Sequence, residues 1–330
     1  MPPYLKEMKK HSLILIAVLS FSCNSKSDRS QAFFPTSSGN LNHVTVVMPK
    51  ADWDADLGKT VRDQMSVIYE GLPLDEPQYS IDYLNPKAFT GFARQSRNII
   101  WFQKDSIPRF QLAKDQFAQP QIVALITGED AEVQAFSFEE NVQLLRQTLA
   151  ENERKEKLRR INKSPTTETN LDNRFGIHLT YPSAYKTVQD TINFVWIQKQ
   201  IQKGHLNLIA YTLPEGVLEG RFNEKILTIR DSIGKLYVPG RLPGSYLITE
   251  RAFRPYFFSV SLDGKPGYLT KGTWEVTNDF MAGPFVNYML RDSVKKRWIV
   301  VEGFAFAPSV SKREYMFELN TILSTFKEVN

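Results

Sequence analysis

The sequence is almost without cysteine and histidine: 330 residues hold one Cys and four His. A lone cysteine closes no internal disulfide, so a disulfide-stapled scaffold is excluded. No histidine stands in an HExxH arrangement and no cysteine pair completes a zinc motif, so no metal site and no cofactor are expected. There is no GxSxG nucleophile elbow. No apolar run reaches the roughly 20 residues that cross a bilayer as a helix. Charge of one sign is scarce too, since 41 Lys and Arg against 36 Asp and Glu leave a formal net charge of +5. The densest basic run, Arg154 to Lys163, has glutamates interleaved upstream. It reads as the solvated end of a helix rather than a nucleic-acid surface, and no nucleic-acid partner is expected.

What is present starts at the N-terminus. Lys6, Lys9 and Lys10 precede an apolar stretch from Leu13 to Phe21, then Ser22, Cys23 and a polar segment. A positive head, a short apolar middle and a small residue before the break make an export signal over residues 1–22. The single cysteine directly after it matches the bacterial lipoprotein pattern, in which the Cys23 thiol receives a diacylglycerol and becomes the new N-terminus. Several acyl chains on one residue hold a protein stably at a membrane, where one chain is marginal. Residues 23–42 are rich in Ser, Asn and Gly and read as a flexible tether. The expected address is the cell envelope, lipid-anchored at the outer membrane, with the membrane face undetermined.

Removing residues 1–22 leaves 308 residues, 42% of the whole chain being hydrophobic, which is enough for one large or two ordinary folded domains. A valine-rich strand is expected at 42–48, a helix from Pro49 to Gly71, and strands at 96–105 and 122–127. Residues 72–86 contain three prolines and read as extended. A long helix over about 131–160 turns almost wholly polar in its second half, so that half is expected to leave the core. "SPTTETNLD" (164–172) reads as a boundary. Beyond it come strands at 192–200 and 204–214, a helix at 223–238, further strands within 245–263, 269–278 and 295–308, and a closing helix at 311–326 with Tyr315, Leu319, Ile322 and Phe326 on one stripe. The expectation is an α+β fold of two mixed units, 43–163 and 172–330. Both have largely antiparallel sheets with flanking helices, in preference to a doubly wound parallel sheet. The second unit suggests a small photosystem-protein-like sandwich.

The stretches "GTWEVTNDFMAGPFVNYMLRD" and "VEGFAFAPSVSKREYMFELNTIL", with "RNIIWF" and "LPLDEPQYSI" in the first half, are distinctive. On these residues the chain resembles an uncharacterised family of Bacteroidetes lipoproteins, a domain of unknown function (DUF4837-like). The resemblance implies a cell-envelope lipoprotein and no particular activity, substrate or cofactor.

Catalytic chemistry is thinly represented. Gly58-Lys59-Thr60 follows a strand as in a phosphate loop, but the required earlier glycine is Trp53, and Asp54 and Asp56 would repel phosphate. His178 and His205 read as structural. Glu275 and Asp279, next to Trp274, are the carboxylates to consider for glycoside cleavage. The preferred reading is a strand ending at Asn278, where Asp279 caps a turn and Trp274 packs inward. The best candidate binding element is "NDFMAGPF". It is read as a loop, with Asn278, Asp279 and Phe280 followed by Gly283, which permits unusual backbone angles, and Pro284, which stiffens the chain. Arg251, Arg254 and Tyr256 would line the same groove if their strands are neighbours. Three functions fit the sequence: a non-catalytic module binding an envelope protein or glycan, a hydrolase acting on envelope glycan or peptide, and a scaffold subunit of an envelope assembly.

Overall fold

Short valine- and isoleucine-rich segments alternating with helices build the first of two sheets. In the computed structural model, which describes residues 34–218 and 222–329, β1 (His43–Val47) leads through α1 (Lys50–Asp54) and α2 (Asp56–Met65) to β2 (Ser80–Leu84). Then come β3 (Asn98–Lys104), β4 (Arg109–Lys114), β5 (Ile122–Gly128) and α3 (Ala131–Ile161). The strand order is β2-β1-β3-β5-β4. β1 pairs parallel with β2 and with β3, and β3 pairs parallel with β5. Only β4 is antiparallel, against β5. The largely antiparallel expectation is therefore corrected for this unit. Three prolines within 72–86 disguise β2 as irregular chain. Without β2 the strand–helix–strand crossover, which joins parallel strands, is invisible.

Alternate residues of the parallel strands serve both faces, which is why β3 runs apolar from Ile99 to Phe102 and β5 from Ile122 to Ile126. Val44, Val46, Ile100, Phe102 and Ile126 pack with residues of α2 and α3 such as Leu57, Val61, Phe138 and Leu145. The other face places Val47, Ile99 and Val123 around Phe89. Gly58, Lys59 and Thr60 lie inside α2, not in a loop.

The polar half of α3 does not leave the core, contrary to expectation. The helix starts on Asp130, whose side chain accepts from Val133 N, and 31 residues carry it about 46 Å. Glu153 and Glu156 are buried. Glu153 receives Arg97 Nε at 2.6 Å and Asn98 Nδ2 at 2.6 Å. Arg159 and Arg160 both donate to Glu156. Lys157 reaches Glu318 at 2.6 Å, and Leu158 and Ile161 join the core of the second sheet. Hydropathy misreads this half because Glu153 and Glu156 are buried against cations and an amide that satisfy them.

Residues 36–42, assigned to the tether by composition, belong instead to the folded part. Ser37 N donates to Gln119 O at 3.0 Å and Ser38 N to Gln95 O at 2.8 Å, Leu41 and Asn42 are buried, and Arg97 binds the Asn40 carbonyl. The signal over 1–22, Cys23 and the tether through residue 33 lie outside the described residues.

The second sheet follows α4 (Asn170–Phe175) and β6 (Ile177–His178). Its strands are β7 (Lys186–Asp190), β8 (Phe194–Ile201), β9 (Gly204–Pro214), then, after α5 (Phe222–Tyr237), β10 (Leu247–Thr249), β11 (Tyr256–Leu262), β12 (Lys265–Val276), β13 (Ala282–Asp292) and β14 (Arg297–Phe306). α6 (Arg313–Leu323) and β15 (Lys327–Glu328) close the chain, with β15 pairing with β6. The order is β10-β12-β13-β14-β9-β8-β7, with β11 also on β12, and every pairing is antiparallel. Leu206, Leu208 and Ala210 of β9 face a core that includes Met316, Leu319 and Ile322 of α6. Ile209 and Tyr211 face the opposite core, with Ile226 and Ile229 of α5. Helices thus cover both faces of an antiparallel sheet.

Each sheet is tied to a helix by one buried Arg–Glu pair. Arg97–Glu153 joins the start of β3 to α3. Arg230 of α5 binds Glu302 of β14 at 2.8 Å, both side chains being almost fully buried. Asn287 and Thr249 take the remaining hydrogen bonds, and Phe285 lies 3.8 Å beneath the guanidinium. The two sheets belong to one compact unit, Thr36–Asn330. Glu76 of the first half accepts from Lys312 N at 2.7 Å and Arg313 N at 3.0 Å. It caps α6, whose own N-cap residue Lys312 supplies no side-chain cap.

Candidate functional site

"NDFMAGPF" is a tight turn followed by a strand, which corrects the loop expectation. Asn278 takes φ +58°, Val276 N donates to Met281 O, and β13 begins at Ala282. Gly283 is not in the left-handed region. It is there for close approach, because a Cβ would stand 2.0 Å from the Ala305 carbonyl oxygen. Pro284, which has no N–H, pairs only toward β12, and the ladder to β14 starts at Phe285. The Gly-Pro step reads as loop punctuation, and a strand buried on both faces shows no alternation to contradict it.

At the turn, Phe280 is fully exposed at 105%. Asp279 accepts from Arg241 Nη2 at 2.6 Å and Nε at 3.0 Å. These Arg241 hydrogen bonds hold the Asp279 carboxyl below its usual range. A carboxylate committed in this way is a poor proton donor. The same ion pair draws the segment 238–246 against the turn, where Leu242 is also exposed.

Behind this rim is a cavity of about 190 Å³ whose walls include Trp196, His205, Leu247, Trp274, Met281 and Phe304. Trp274 and Phe304 meet edge to face with centroids 5.6 Å apart. Asn207 is fully buried and organises one side. Its Oδ1 accepts from Trp196 Nε1 and Gln198 Nε2, each at 3.0 Å, and its Nδ2 donates toward His205 Nδ1 at 2.9 Å and to the Phe304 carbonyl. That arrangement assigns the His205 proton to Nε2. Burial lowers the His205 pKa against the opposing Asn207 bond, so the imidazole is neutral at pH 7. The Trp274 indole N–H is buried without a hydrogen-bond partner.

Trp274 is the one sequence-derived candidate in the cavity wall, while Asp279 and Phe280 sit at its rim. Glu275 pairs with Ile248 and Ala282 inside the sheet. Arg251, Arg254 and Tyr256 are exposed and lie along the β10–β11 connection. Arg251 binds Asp231, and Tyr256 pairs with Lys271, three residues before Trp274. β10 and β11 both pair with β12, and Arg251, Arg254 and Tyr256 are not among the residues that line this cavity. Asn207, Trp196 and Arg241 go unread in the sequence, and His205 reads there only as structural. The only signal for His205 and Asn207 is polar residues at alternate positions of an otherwise apolar β9. Among the described residues no group of three His, Cys, Asp or Glu could hold a metal ion, and no helix is long and apolar enough to cross a membrane.

The unit carrying this cavity, residues 164–325, matches the family model described as Domain of unknown function (DUF4837). Residues 37–162, including "RNIIWF" and "LPLDEPQYSI", match a second model, Domain of unknown function (DUF8532), rather than the first. No curated protein matches the chain. Among solved structures, the Ran-binding protein Mog1p of Saccharomyces cerevisiae aligns at 8% identity and TM-score 0.33, over 47% of this chain and 91% of its own. LpqN, described as involved in cell envelope biogenesis of Mycobacterium tuberculosis, aligns at 11% identity and TM-score 0.30, over 47% of this chain and 83% of its own. A protein from Bacteroides thetaiotaomicron VPI-5482 aligns at 6% identity and TM-score 0.27, over 51% and 48%. At these scores neither fold nor function is carried over.

Proposed function

We propose that the chain is a lipid-anchored envelope lipoprotein whose second unit is a non-catalytic binding module for a polypeptide partner. The observation that carries this is the size and rim of the Trp274 cavity. Small-molecule sites run from about 300 to 1,000 Å³, and about 190 Å³ is below that range. It suits one apolar side chain inserted as an anchor, the arrangement on which protein interfaces concentrate their energy. Phe280 and Leu242 at the rim give such a partner further apolar area, and the Arg241–Asp279 pair gives it a polar border.

The anchor part of the reading rests on Cys23 and the export signal before it, with residues 24–33 as the tether. The second unit's antiparallel sheet with a helix on each face supports reading it as a photosystem-protein-like sandwich. Two experiments test the proposal. Cys23→Ala is expected to release the protein from the membrane fraction, and a variant still pelleting after a high-salt wash contradicts the anchor. Phe280→Ala with Leu242→Ala is expected to weaken recovery of one dominant protein partner at least about tenfold, as loss of rim anchors should. Unchanged recovery contradicts the module.

A further inference from the structure

The first sheet carries a cleft made by its topology, separate from the Trp274 cavity. From β1 the chain crosses to β2 on one flank, while β3 is followed outward by β5 on the other. The connections beyond the adjacent C-terminal ends of β1 and β3 therefore part, and open α/β sheets bind ligands in that crevice. A cleft of about 720 Å³ opens there, bordered by Pro49 and Asp52 after β1, Trp101 and Lys104 at the end of β3, and Glu129 and Asp130 after β5. This volume lies within the small-molecule range.

The lining selects against the anions that such crevices often hold. The anion position is normally the free amides at the start of the next helix. Here Asp130 occupies it, accepting from Val133 N at 2.9 Å. The turn after β1 contains Pro49, which has no N–H to offer. Asp52, Glu129 and Asp130 repel phosphate, and Lys104 is the single cation of the lining. What remains is a set of carboxylate acceptors that includes Asp105, with Gln103, Gln134 and an indole. Trp101 is half-buried and braced edge to face on Phe89, with centroids 4.9 Å apart. Acceptors for hydroxyl groups beside a fixed aromatic surface suit a polyhydroxylated ring with an apolar C–H face.

We propose that this cleft binds a neutral saccharide. The test is titration of the full chain with glucose, galactose, N-acetylglucosamine and their β-1,4-linked disaccharides, read by calorimetry and indole fluorescence. At least one sugar is expected to bind saturably, with an affinity insensitive to salt because the ligand is uncharged. Glu129→Ala, at an exposed position, and Asp52→Ala are each expected to raise Kd about tenfold or more, the effect of losing a hydrogen bond to a charged group. Circular dichroism verifies that both variants are folded. Any of three results overturns the proposal: no response at about 1 mM sugar, equal binding by both variants, or preferential, salt-sensitive binding of putrescine, which would mark an amine site. Met281→Trp, which fills the other cavity, is expected to leave sugar binding unchanged.

Discussion

The two sheets solve the same problem differently. The first is parallel but for one edge strand, and its four parallel strands end toward one crevice. The second is antiparallel, its strand ends are joined by hairpins, and its cavity sits at one side, where the end of α5 and the 238–246 segment meet the β12–β13 turn. Parallel order creates a cleft whatever the side chains, whereas the antiparallel sheet needs particular ones, Trp274, Trp196 and Phe304, to leave a hollow. The first cleft is large and lined by carboxylates. The second is small and aromatic. Each geometry favours its own class of ligand.

The largest expected effects come from the buried pair in each sheet. Glu302→Ala strands a buried arginine and Glu153→Ala leaves Arg97 only the more distant Glu156 at 4.0 Å, so each should cost about 3–5 kcal/mol in urea denaturation. If only one does, the two sheets are not anchored alike. The next effect is collective and lies where α3 passes between the sheets. Burial raises the Glu156 pKa, but hydrogen bonds from Arg159 and Arg160 outweigh it and hold the group at about 2, against an ordinary 4.5. Glu318 is likewise lowered, with Lys157 and Lys199 overcoming burial. Carboxyls depressed in the folded state contribute stability that is present above about pH 4.5 and lost as pH falls toward 2. Urea midpoints should fall over that interval, and Glu156→Gln should flatten the fall. Gly283→Ala should cost about 1–3 kcal/mol by overpacking against Ala305, an effect confined to the second sheet. Glu76→Ala removes the cap that the first half gives α6 and should cost about 1 kcal/mol, read as a lower Tm. Phe280→Ser, at an exposed turn, should change stability by no more than about 0.5 kcal/mol.

Legibility in the sequence followed the same division. In the second sheet, Gly204 and the alternating pattern around it announce the β8–β9 hairpin, and the Tyr315, Leu319, Ile322 stripe announces α6. In the first sheet, strands 43–47, 98–104 and 122–128 are evident from their valine and isoleucine content, but their direction is not, because β2 is concealed among prolines. The ionic network of α3 reads as solvated charge until Arg97 at the start of β3 and Glu318 of α6 are brought to it from a distance. Trp274 is marked by its own sequence neighbourhood. His205 and Asn207 are not, since their partners come from β8 and β14.

The most direct test of the binding-module account is photo-crosslinking in intact cells from a benzoylphenylalanine placed at position 280, with and without Met281→Trp to fill the cavity. The account predicts one dominant protein adduct, attached next to an apolar side chain of the partner, that disappears when the cavity is filled. An adduct that persists with the cavity filled, or adducts with lipid alone, would contradict it.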